Sequence, residues 1–97
     1  MNYNIEIRPL AAIEIIEAYD WYELQRVGLG LEFLNELDTF YDSLQRNPHT
    51  YSFYEKPVRE GKIKRFPHSV VYEVIKTTIV IYSVFMVKQD PSKKRTL

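Results

Sequence analysis

The chain has 97 residues and no cysteine, with 45% hydrophobic and 27% charged residues. This length buries one core, the composition is globular rather than disordered, and the missing thiols exclude disulfide frameworks and thiolate metal sites. The formal net charge of zero conceals a segregation: residues 1 to 50 carry three cations against nine anions, whereas residues 51 to 97 carry ten against four.

A basic half of this kind concentrates phosphates or acidic peptides near it. One domain over residues 1–97 is expected. His49 and His68 fall in separate segments without zinc-site spacing, so neither a metal nor another cofactor is expected. The longest apolar run, Thr78 to Val87, is far short of the roughly 20 residues of a membrane helix. No leader pattern precedes it, which makes the cytoplasm the expected location.

In chain order, "YNIEI" (3–7) alternates with period two and predicts a half-buried strand. Pro9 then opens a helix to about Gln25, with Ala12, Ile15, Ile16, Tyr19 and Tyr22 as its expected buried stripe. "VGLG" (27–30) offers two glycines able to take positive φ and reverse the chain. A second helix, about Leu31 to Arg46, gathers Phe33, Leu34, Leu37, Phe40, Tyr41 and Leu44 on one face, and Pro48 stops it. Three strand-like runs follow, about 61–66, 69–75 and 78–87, and residues 89–97 read as a polar, flexible tail. The order β-α-α-β-β-β predicts an α+β domain, a helical hairpin packed on one face of a largely antiparallel sheet.

No phosphate loop, nucleophile elbow or HExxH pair is present. The cations of "GKIKRFPH" (61–68) are more informative. On a strand Lys62 and Lys64 share a face while Ile63 points the other way, with Arg59 and Arg65 flanking them. Such a patch, extended by Lys88 and by Lys93, Lys94 and Arg95, binds anions: nucleic acid or an acidic peptide. It equally suits a solvated edge strand that resists aggregation. Were the patch to cleave RNA, His68 would move protons and Tyr72 or Tyr82 would serve as acid or stacking platform.

The segments "AYDWYELQRVGLGLEFLNELD", "LQRNPHTY", "VREGKIKRFPHSVVYEV" and "IVIYSVFMVKQDP", in this order, resemble the toxins of the RelE/ParE superfamily of type II toxin–antitoxin modules. The resemblance covers nearly the whole chain and is nearest to the ParE-like, plasmid-stabilisation branch. It implies a growth-inhibiting toxin and a cognate antitoxin that neutralises it. ParE-like members poison DNA gyrase by binding, without a catalytic constellation. RelE-like members are mRNA endonucleases that act on the ribosome, for which Lys62, Lys64, Arg65 and His68 are the candidate residues. The last strand lacks arginine, Met86 stands where many relatives have histidine, and Gln89 where arginine usually precedes Asp-Pro. The balance therefore favours a protein-binding toxin with gyrase as its expected target. An endonuclease, an inert antitoxin-binding relative and a homodimer all remain open.

Overall fold

The alternating residues at the start of the chain form β1 (Asn4–Ile7) in the computed structural model, which describes residues 3–87. Lys88 and the tail 89–97, including Lys93, Lys94 and Arg95, lie outside the described residues. Pro9 sits in the first turn of α1 (Pro9–Gln25), where its missing N–H costs nothing. The expected stripe of α1 needs correction. Ala11, Ala18 and Tyr22 are its buried residues, Ile15 packs against the core, and Ile16 is exposed. Alanines at two contact points let the helix lie close to the sheet. Because α1 is apolar around most of its circumference, periodicity did not single out which side chains go inside.

Gly28 takes φ +92 just before α2 (Leu29–Arg46), so one glycine of "VGLG" supplies the left-handed turn. The other, Gly30, is helical and serves close packing: a Cβ there would stand 2.8 Å from the Tyr19 ring. The Glu23 carboxylate of α1 accepts hydrogen bonds from the N–H groups of Gly28 and Gly30, both at 2.9 Å. It thereby fills the capping role that a glycine at the helix start cannot. α2 buries Phe33, Leu37, Phe40 and Leu44, the i, i+4, i+7, i+11 series expected of its amphipathic face.

A short strand that the sequence did not signal, β2 (Phe53–Glu55), pairs antiparallel with β3 (Val58–Lys62). The run expected at 61–66 is thus displaced: the strand begins three residues earlier and ends at Lys62. Beyond it Ile63 donates its N–H to the carbonyl of His68, and His68 donates to that of Phe66, a tight reversal with Arg65 at φ 70. Ile63 and Phe66 are buried in the core, so the apolar residues of this stretch anchor a loop rather than a strand.

β4 (His68–Ile75) and β5 (Thr78–Met86) complete a sheet of order β1-β5-β4-β3-β2, antiparallel except for the parallel pair β1 and β5. Both helices cover one face. The core between the layers holds Phe33, Leu44, Val70, Tyr72, Ile79, Ile81 and Val84, and each such large side chain contributes about 1.5–3 kcal/mol on burial. A register shift at Val71/Tyr72 leaves Tyr82 of β5 as the extra residue, so that Ile81 and Val84, three apart, both face the core.

Candidate functional site

Lys62 ends β3 and Lys64 lies in the following loop, both exposed on either side of buried Ile63. They line one cleft of about 250 Å³ together with Ser43 and Arg46 of α2 and with Tyr51. The structure therefore brings the two lysines together. It does not, however, set them on one face of a strand as alternation suggested, since the chain leaves the sheet at Lys62 and both lysines line a cleft beside α2. Neither lysine enters an ion pair among the described residues.

The neighbouring arginines are used differently. Arg65 donates to Glu32 Oε1 at 2.8 Å and to Glu36 Oε2 at 3.2 Å, which ties the loop to α2. The hydrogen bond from Arg65 is the main reason that the Glu32 carboxyl titrates below its ordinary range. This exposed fork positions the loop more than it stabilises the fold. Arg59 donates to the carbonyls of Tyr51 (2.7 Å) and His49 (3.3 Å), and its guanidinium lies 4.0 Å from the centre of the Phe53 ring. It thus pins the segment between α2 and β2.

His68 is only 2% exposed. It packs among Tyr22, Phe33 and Phe66, with Nδ1 3.4 Å from the Tyr22 hydroxyl, a long hydrogen bond. Burial pushes its pKa down, and the charge of Glu14 opposes that in part. It lines a notch between α1 and β5, beside Glu14 and Trp21, not the lysine cleft. Tyr72 is fully buried, donates to the Pro48 carbonyl at 2.7 Å, and has its pKa pushed up to about 12 by burial. That placement rules out the stacking platform the sequence suggested. Tyr82, on the sheet face opposite the helices, donates to Glu73 at 2.7 Å. Lys88 lies outside the described residues.

Sequence reasoning missed two features. The Glu14 carboxylate accepts from Ser83 Oγ (2.8 Å) and Val84 N–H (2.9 Å) and so fastens α1 to β5. Leu10, Ile13, Trp21 and Leu24 leave α1 with an exposed apolar face. The available signal was the second set of apolar residues at helical spacing, one more than a singly covered helix needs.

The assembled architecture is shared with solved toxins. A chain of the chromosomal ParDE toxin–antitoxin system from P. aeruginosa superposes with TM-score 0.77 at 19% identity, over 89% of this chain and 97% of that one. The chain has the RelE/ParE toxin fold. The isolated E. coli RelE toxin superposes with TM-score 0.69 at 18% identity, over 98% of this chain and 99% of that one. No family model matches the chain, and no curated protein matches it. In RelE/ParE terms, the lysine cleft lies where the loop between β3 and β4 meets α2, and the apolar face lies on the outside of the first helix of the hairpin.

Proposed function

We propose that the chain is the toxin of a type II toxin–antitoxin pair, of the ParE-like kind. It would inhibit bacterial growth in the cytoplasm by binding a target protein, DNA gyrase, and be neutralised by a cognate antitoxin. The observation that carries this reading is the toxin fold itself, matched over 97% of the ParDE chain. The internal contacts support a binding role. Arg65 is committed to helix anchoring, and His68 and Tyr72 are buried, so three groups considered for RNA chemistry serve the fold, as does Arg59 at the edge of the anion-binding patch. Surface binding needs none of them.

A second reading has its own support. Lys62 and Lys64 share one cleft with Arg46 and with the single carboxylate of its lining, Glu36, a net cationic setting suited to an RNA phosphate and to a ribosome-dependent endonuclease. Induced expression in bacteria tests the proposal. Growth should stop, co-expression of the adjacent reading frame should restore it, and translated mRNA should stay intact. Arrest with mRNA cleavage that disappears in Lys62→Ala plus Lys64→Ala would establish the endonuclease instead, and unimpaired growth would leave an inert relative.

A further inference from the structure

α1 and β5 meet at a notch of about 250 Å³ whose lining carries two carboxylates and no lysine or arginine. Glu14, Glu17 and Trp21, at i, i+3 and i+7, bring one helix face to it, and Phe85 and Met86 form the wall from β5. Glu14 uses Oε1 for both of its bonds, from Ser83 Oγ and the Val84 N–H, so Oε2 stays open among the described residues. Glu17 is exposed and enters no ion pair among them. His68 is the most deeply buried polar side chain of the notch. Its ring is only 2% exposed, and its one hydrogen bond among the described residues joins Nδ1 to Tyr22. Nε2 is unpartnered yet not among the polar atoms sealed in the core, so it is the ring nitrogen that meets the notch.

We infer that this notch binds a short aliphatic diamine, one ammonium on Glu14 and His68 and the other on Glu17. Acceptors gathered without a cation call for a positive ligand, and its kind follows from the lining. No group of three histidine or carboxylate side chains among the described residues could hold a metal ion. A guanidinium pairs best with both oxygens of one carboxylate, and Glu14 has only one left. An ammonium is satisfied by single acceptors in several directions. Side chains three apart on a helix stand about 5–6 Å from each other, which a chain of a few methylenes spans. Those methylenes would run over Ala18, Phe85 and Met86, with the Trp21 ring toward the cation. His68 accepts through Nε2 in the tautomer that puts the ring proton on Nδ1, toward the Tyr22 oxygen, and burial favours the neutral ring by lowering its pKa. The site does not depend on the toxin reading, so its failure would leave that reading in place.

Calorimetric titration of the purified chain with 1,4-diaminobutane tests this. One diamine should bind per chain, roughly tenfold tighter than 1-aminobutane, with no heat from 1,4-butanediol and with weaker binding as salt rises. Trp21 is the only tryptophan, so its emission should shift on binding, and the imidazole resonances of His68 should move while those of His49 stay. Glu17→Gln, a substitution at an exposed position, should lower the affinity about tenfold. Glu14→Gln, which keeps an oxygen for the Val84 N–H, should lower it similarly, whereas Glu55→Gln on β2 should leave it unchanged.

A monoamine that binds as tightly as the diamine, binding of the diol, or equal loss in Glu17→Gln and Glu55→Gln would overturn the inference. Diamine binding that leaves the His68 resonances in place would overturn it too, by locating the amine elsewhere. So would zinc chloride that binds more tightly than the diamine, which would make the notch a metal site.

Discussion

Tyr72 and His68 show how single buried polar groups constrain this fold. Tyr72→Phe leaves the Pro48 carbonyl without its donor inside the protein, at an expected cost of about 1–2 kcal/mol. Urea unfolding of the variant should show a lower midpoint with an unchanged slope. His68 sets a pH dependence whose sign follows from its lowered pKa. The unfolded chain takes up this proton near the ordinary value of about 6.5, before the folded protein does. The stability associated with neutral His68 is therefore intact above that value and is lost as pH falls through it toward the lower folded value. Tyr22 on α1 offers its hydroxyl to the ring, and the Glu14 carboxylate, also on α1, offsets part of the effect. Urea midpoints should fall between about pH 7 and pH 5, and His68→Gln should flatten that fall. An unchanged slope in the variant would assign the pH dependence to other groups.

Among the elements, the helical hairpin depends on a carboxylate working across the turn. Glu23→Ala strips two N–H groups at the start of α2 of their acceptor and should lower stability by about 1–2 kcal/mol, read as a reduced thermal midpoint. Most of this level was legible in the sequence. The single Pro9 start, the left-handed Gly28 and the Phe33–Leu44 stripe are local signals, and local signals place helices well. Two parts were not legible, for physical reasons. The inward residues of α1 could not be chosen because Leu10, Ile13 and Ile16 are as apolar as the residues that go inside. The strand at 61–66 was displaced because Ile63 and Phe66 look the same whether they face a core from a strand or plug it from a loop. The lysines kept their neighbourhood but changed their background, from an open sheet face to a cleft beside α2. Carboxylates were the least legible of all, since nothing local separates Glu14 and Glu23, which bond to backbone N–H groups, from the exposed Glu17.

Over the whole molecule, the fold joins two surfaces of opposite character, the apolar and acidic outer side of α1 and the lysine cleft at the β3–β4 loop. Lys62→Ala plus Lys64→Ala removes two exposed charges that enter no ion pair among the described residues and should leave the unfolding free energy within about 0.5 kcal/mol of wild type, so any lost toxicity would report on function. The most direct measurement of the central claim mixes the purified chain with DNA gyrase, ATP and supercoiled plasmid, then denatures the mixture and separates the DNA. The account predicts linear DNA that accumulates with added protein and is suppressed by the cognate antitoxin. Plasmid that stays uncut and is supercoiled at the normal rate, from protein that still arrests growth, would contradict it.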